Sequence, residues 1–187
     1  MFGNPGGGKS WTMVAIAAHA VSLGYKVNYY TLELGEDYVG KRFDCYFTGH
    51  SIDEINKKRK EVQTYVDNLN GKLIVKEYAP KSITVNSIKS HIQKCMDMEH
   101  KPDMVIIDYV DYLRAPSRGK TFERKDEIDD VFIATKGLAK ELKIPFLTPS
   151  QVNRMGARDN VIEGDKAAGS YDKMMVADIC LSLSRQK

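Results

Sequence analysis

Two hydrophobic rhythms alternate along the chain. Trp11, Val14, Ala15, Ala18 and Val21 return at three- and four-residue steps, which predicts a helix from Lys9 to about Leu23. After Gly24 as its stop, Lys26-Val27-Asn28-Tyr29-Tyr30-Thr31-Leu32 reads as a strand. A helix is expected over Asp37 to Phe47 and a polar one from about Ile52 to Leu69. Lys72 to Tyr78 predicts a second strand. Val85, Ile88, Ile92, Cys95 and Met96 then form one stripe of a helix running to Met98. The continuous apolar run Met104-Val105-Ile106-Ile107 ends in Asp108. Beyond it come a helix over Glu127 to Leu142, a strand over Pro145 to Thr148, and a last strand over Val176 to Leu183. Strands separated by long helices pair in parallel through right-handed crossovers, so the fold class is α/β with a mainly parallel sheet flanked by helices. Ligands of such sheets bind beyond the carboxyl ends of the strands.

Composition narrows this picture only slightly. With 187 residues, 42% hydrophobic and 28% charged, the chain suits one soluble globular domain. A net charge of +3 is too small to signal nucleic-acid binding without local clustering. Cys45, Cys95 and Cys180 form no C-x-x-C pair and no secretory segment is visible, so a reducing cytoplasm is the expected setting. No apolar run approaches the roughly 18 residues of a membrane span, and no membrane partner is expected.

The chemistry begins at the amino terminus. Gly3-Asn4-Pro5-Gly6-Gly7-Gly8-Lys9-Ser10 fits the G-x-x-x-x-G-K-[ST] spacing of a Walker A phosphate loop, and Trp11 follows directly. Glycines let successive N–H groups turn toward a phosphate, Lys9 would reach the β- and γ-phosphates, and the Ser10 hydroxyl would ligate Mg²⁺. The positive end of the following helix adds to the same anion site. These residues are the candidate set for ATP. Only Met1 and Phe2 precede the loop, where a buried strand should stand, so the first strand is expected to be truncated and the chain a piece of a longer protein.

Asp108 ends an apolar strand, where a carboxylate can hold Mg²⁺ or simply cap the strand; Asp111 is the fallback ligand. Glu33 follows the Lys26–Leu32 strand and can take a proton from water attacking the γ-phosphate, with Glu36 one turn on as its competitor. Gln151, after the Pro145–Thr148 strand, is either an amide sensor of the γ-phosphate or an ordinary loop residue.

Taken together, these motifs resemble the RecA-type motor domain of DnaB-like replicative helicases, phage-type members in particular. Thr31-Leu32-Glu33-Leu34 is similar to the family's Ser-Leu-Glu-Met, and Arg42 stands where the family also has an arginine. Ile106-Ile107-Asp108-Tyr109 resembles its Walker B strand. Lys136-Gly137-Leu138-Ala139-Lys140-Glu141-Leu142 resembles the helix before its sensor strand. Pro149-Ser150-Gln151-Val152-Asn153-Arg154 is similar to its Ser-Gln-Leu-Asn-Arg, and Ala168-Gly169-Ser170 with Ala177-Asp178 is similar to a later segment.

The resemblance covers nearly the whole chain. It implies a RecA-like P-loop NTPase over residues 1–187, incomplete at both ends. Lys9, Ser10 and Asp108 would meet MgATP, with Glu33 as catalytic base and Gln151 as sensor. It further implies an ATP-driven helicase acting as a hexameric ring on single-stranded DNA in a bacterial or phage-infected cell, with a primase or helicase loader as partner.

Two features of the family fall outside the sequence: its primase-interacting domain with the linker helix, and the lysine and arginine finger that would follow Lys187. A finger of this kind contributes roughly 10³–10⁵ in rate in other phosphate-loop enzymes, so the chain alone is expected to hydrolyse ATP weakly. Two loops are candidates for tracking DNA phosphates: one with Arg114, Arg118, Lys120 and Arg124, the other with Arg154, Arg158 and Lys166. Solvated surface loops are the alternative. A recombinase-like ATPase, a nucleotide switch that unwinds nothing and a small-molecule kinase are the rival functions.

Overall fold

The computed structural model describes residues 1–115, 124–151 and 172–183. Its elements run β1 (Phe2–Gly3), α1 (Lys9–Ser22), β2 (Lys26–Thr31), α2 (Glu36–Thr48), α3 (Ile52–Lys57), α4 (Arg59–Asp67), β3 (Lys72–Glu77) and α5 (Val85–Asp97). They continue with β4 (Met104–Asp108), a 3₁₀ turn (Val110–Tyr112), α6 (Arg124–Leu142), β5 (Phe146–Leu147), β6 (Ser150–Gln151), α7 (Asp172–Val176) and β7 (Ser182–Leu183).

Among the described residues every strand pairing is parallel, as the long crossovers require. One sheet has the order β3-β2-β4-β5 and the other β6-β1-β7. Residues 146–151 join them, giving β5 to the first and β6 to the second. The register sets Thr31 beside both Glu77 and Asp108, so β2, β3 and β4 end on one level.

Alternation along β2 and β4 divides the core between two faces. Val27, Tyr29 and Ile106 pack with Met13, Val14, Ala17, Val39 and Phe43 of α1 and α2. Tyr30, Leu32, Val105 and Ile107 pack with Ile88, Ile92, Val131 and Leu138 of α5 and α6. Tyr29, Tyr30, Val105 and Ile106 are fully buried.

The first strand, expected to be truncated, consists of two residues, Phe2 and Gly3, paired on both sides. Three expectations need correction. The single polar helix over 52–69 is two helices, because Lys58 leaves helical geometry (φ −107°, ψ 31°) between α3 and α4. A reciprocal Ser51–Glu54 capping box starts the first of them. The strand expected over Pro145 to Thr148 narrows to Phe146–Leu147, and the chain re-enters a sheet at Ser150. Val176 ends a helix, so only Ser182 and Leu183 of the final stretch are extended.

Candidate nucleotide site

Gly6 (φ 68°) and Gly8 (φ 91°) hold left-handed backbone that residues with a side chain rarely adopt, and they curl residues 3–10 into a bend. The Gly7 amide donates to the Asn4 carbonyl at 3.0 Å within it. Gly8 caps α1 without a side-chain acceptor, and no acidic residue occupies the first turn, so the helix dipole there is not neutralised by a side chain.

Lys9 is 4% exposed. Its ammonium donates to the carbonyls of Gly3 at 2.9 Å and Asn4 at 2.8 Å, spanning the bend. Burial lowers its pKa, and the carboxylates of Glu33 and Asp108 oppose that shift. The bend, the β2 end and the β4 end therefore converge electrostatically on one nitrogen.

Asp108 is fully buried at the end of β4. The Tyr29 hydroxyl donates to its Oδ2 at 2.9 Å, while Oδ1 is buried with no hydrogen-bond partner among the described residues. Burial pushes its pKa up and the Glu33 charge adds to the rise; the hydrogen bond from Tyr29, the nearby Ser10 hydroxyl and the Arg42 charge work against it. Burial and the neighbouring carboxylate push the Tyr29 phenol far above its ordinary range. A buried carboxylate with one oxygen unsatisfied, next to a serine hydroxyl, is a donor set suited to a hard divalent ion that also binds phosphate oxygens. Among the described residues no three His, Cys, Asp or Glu side chains gather into an all-protein metal cage. Mg²⁺ typically keeps only one or two protein ligands beside phosphate, so the two fit together.

Glu33 is exposed just past β2. The Leu32 amide donates to the Asp108 carbonyl at 2.8 Å, tying the two strand ends together. Thr31 Oγ1 donates to the Leu34 carbonyl at 2.7 Å and accepts from the Leu34 amide at 3.2 Å, which fixes the turn that carries Glu33. Glu36 is engaged elsewhere: its carboxylate accepts the Glu77 amide at 3.1 Å, and its amide donates to Glu77 at 2.9 Å. Glu36 is thus tied to β3, whereas the Glu33 charge acts on Lys9 at the bend.

Gln151 lies on β6 opposite Gly3, beside the glycine bend rather than beyond a strand end; its side chain falls outside the described residues. The carboxylate of Asp111, the fallback metal ligand, is paired with Lys173. Arg42, 9% exposed, stacks its guanidinium between Trp11 and Tyr38 at 4.7 Å from each ring. Only the family resemblance pointed to it, since a residue on α2 gives no local signal that it will meet α1.

Of the residues expected to track DNA, Arg114 is exposed, with its amide bonded to the Ile83 carbonyl at 2.8 Å. Arg124 begins α6. Arg118, Lys120, Arg154, Arg158 and Lys166 lie outside the described residues. An apolar cavity of about 490 Å³ lies between α6, β5 and residues 176–181, and none of Lys9, Glu33 or Asp108 lines it. Among the described residues no helix is long and apolar enough to cross a membrane.

The family model of the DnaB-like helicase C-terminal domain matches residues 1–161. A DnaB-like replicative helicase of Enterobacteria phage T4 is 24% identical over 94% of this chain and 39% of its own length. The replicative DNA helicase DnaB of Rickettsia prowazekii is 29% identical over 56% of this chain and 20% of its own. The chain thus spans well under half of these relatives. In fold it is similar to the ATPase domain of G40P, with TM-score 0.80 and 20% identity over 98% of this chain and 68% of that one. It is also similar to a DnaB-like replicative helicase described with its primase interactions, with TM-score 0.78 and 19% identity over 95% of this chain and 45% of that one. The shared architecture is the RecA-like parallel sheet.

Proposed function

Because this chain belongs to the DnaB-like helicase C-terminal domain family, we propose that it is the ATP-hydrolysing motor of a replicative DNA helicase. The observation that carries this reading is the convergence of Glu33 and Asp108 on the buried Lys9 ammonium at the glycine bend.

In this reading the amides of Gly6, Gly7 and Gly8 and the first turn of α1 cradle the phosphates, and Trp11 borders the site. Lys9 neutralises the β- and γ-phosphate oxygens. Ser10 and Asp108 would hold Mg²⁺, which when bound offsets phosphate charge. Glu33 accepts a proton from water as the water oxygen attacks the γ-phosphorus. A new P–O bond forms, the bond to the β-phosphate oxygen breaks, and ADP leaves with that electron pair. Glu33 suits the role because the Thr31–Leu34 bonds fix its turn while its side chain stays open to solvent. Gln151, beside Gly3, would report the γ-phosphate to the segment that follows it.

Hydrolysis would drive movement along single-stranded DNA, with Arg114, Arg118, Lys120, Arg124, Arg154, Arg158 and Lys166 following the phosphates. A hexameric ring, a primase or loader partner and a cytoplasmic setting belong to the same reading. Strand displacement by the full-length protein, abolished by Lys9→Ala, is the test. ATP binding and hydrolysis without strand displacement would instead identify a nucleotide switch.

A further inference from the structure

Asp108 does not set its own orientation. The outer torsion of an aspartate is broad and nearly two-fold, so a carboxylate at a strand end can present either oxygen to a metal. A neighbour must make the choice, and β2 supplies one.

In the ladder between β2 and β4, Tyr29 stands opposite Ile106 and Thr31 opposite Asp108. Side chains alternate along a strand, so Asp108 leaves the sheet on the face of Ile106, which packs against α1 and α2. Tyr29 shares that face and lies one diagonal step from Asp108. Diagonal neighbours are about 7–8 Å apart, a gap that aromatic and other long side chains can span. The Tyr29 hydroxyl crosses it and donates to Asp108 Oδ2 at 2.9 Å. Phe43 of α2 meets the Tyr29 ring edge-on, with centroids 5.6 Å apart and planes at 88°, which fixes the ring. Tyr29 and Asp108 are both 0% exposed, so bulk water does not compete for Oδ2.

With Oδ2 occupied, Oδ1 is the oxygen left over. It is buried with no hydrogen-bond partner among the described residues, and Ser10 stands close by in the first turn of α1. An unpaired buried oxygen is costly to maintain, and its persistence calls for a ligand. A phenylalanine at position 29 would pack against Phe43 equally well and leave both oxygens unpaired. Packing therefore accounts for the ring but not for the hydroxyl.

We propose that Tyr29 is a positioning residue for the metal, holding Oδ2 of Asp108 so that Oδ1 is presented to Mg²⁺ beside Ser10. The proposal rests on the nucleotide reading above and adds a residue that none of the sequence motifs includes. Removing an outer partner that orients a metal ligand typically costs 10- to 100-fold in metal affinity or activity.

The test is made on the full-length protein with Tyr29→Phe, which deletes only the hydroxyl, and Phe43→Leu, which keeps the hydroxyl but loosens the ring. Calorimetry with a non-hydrolysable ATP analogue gives its affinity without divalent ion and the Mg²⁺ concentration that half-saturates tight binding. ATP turnover is followed over the same Mg²⁺ range. For Tyr29→Phe the half-saturating Mg²⁺ concentration should rise about 10- to 100-fold, while metal-free affinity stays within about threefold of the parent. Turnover should fall at limiting Mg²⁺ and recover largely as Mg²⁺ is raised. Phe43→Leu should shift the Mg²⁺ requirement in the same direction by less.

An unchanged Mg²⁺ requirement in Tyr29→Phe overturns the proposal. So does a loss of metal-free affinity as large as the shift in Mg²⁺, which marks a general loosening of the core. If Tyr29→Phe does not fold, Phe43→Leu decides by the same titration, and an unmoved Mg²⁺ requirement overturns the proposal there too. A parent that binds the analogue with no response to Mg²⁺ removes the metal site itself, and the role of Tyr29 with it.

Discussion

β2 and β1 run in the same direction toward the same site, but they are secured by different means. β2 is six residues long, paired along its length with β3 and β4, and buried on both faces from Val27 onward. β1 is two residues long. It is held between β6 and β7 by bonds such as Phe2 amide to Leu181 carbonyl at 2.9 Å and Ser150 amide to Met1 carbonyl at 2.7 Å. The exposed apolar residues Met175, Ile179 and Leu181 and the apolar cavity lie on this second side. Apolar packing fixes the β2–β4 half, where Glu33 and Asp108 must keep a set spacing to Lys9. Short pairings and the Lys173 ion pair hold the β1–β6–β7 half, where our account places the groups that respond to nucleotide.

The largest effects should come from the firm half. Glu33→Gln should cut ATP turnover by about 10²–10⁴ while nucleotide binding persists, as loss of a general base does. Glu36→Gln, whose carboxylate serves a backbone amide on β3, should change turnover less than about threefold. Single-turnover hydrolysis on both variants separates them, and equal losses would erase the distinction between the two glutamates.

Asp108→Asn should lower turnover and raise stability together. In the folded chain burial holds the Asp108 pKa above its ordinary value. The folded state therefore binds that proton more tightly than the unfolded state does. Stability should fall as pH rises from the ordinary carboxylate range through the raised value, and remain lower at neutral pH. The substitution should flatten that dependence and raise the melting temperature at pH 7, at about 2–4 °C for each kcal/mol of relief. Melting curves of parent and variant between about pH 4 and pH 8 check the sign.

The smaller effects compare packing in the two halves directly. A Cβ on Gly3 would lie 2.7 Å from the Leu183 carbonyl oxygen, so Gly3→Ala should push β7 from β1 and cost about 1–3 kcal/mol. A Cβ on Gly40, within α2, would meet nothing within 4 Å, and Gly40→Ala should stabilise by about 0.5–1 kcal/mol. Denaturant unfolding measures both, and a destabilising Gly40→Ala would show the firm half to be under unsuspected strain.

Where neighbouring residues decide the structure, the sequence was a good guide. β2 and β4 were legible because continuous apolar runs between helices bury both faces of a parallel strand. The glycine bend was legible because its spacing is set by local backbone geometry. Lys58 interrupts a polar helix although Ile55 and Val62 each bury one residue of its two parts, and polar residues give no periodic signal to betray the break. The contacts that matter most at the site are remote in the chain. Glu36 is engaged by Glu77, 41 residues away, and Asp111 by Lys173, 62 residues away. No local pattern could assign either. Gln151 was singled out by motif, but its place on a strand beside Gly3 depends on pairing across almost the whole chain.

The central claim is that a magnesium-bound triphosphate binds where Lys9, Glu33 and Asp108 converge. Trp11 is the chain's single tryptophan, lies one residue beyond Ser10, and stacks on Arg42 at 4.7 Å. Its fluorescence should therefore report that event directly. Titration with MgATP is expected to change Trp11 emission saturably in the parent, and to leave it flat in Lys9→Ala. A parent signal that never responds, or a response that survives Lys9→Ala unaltered, would contradict the account.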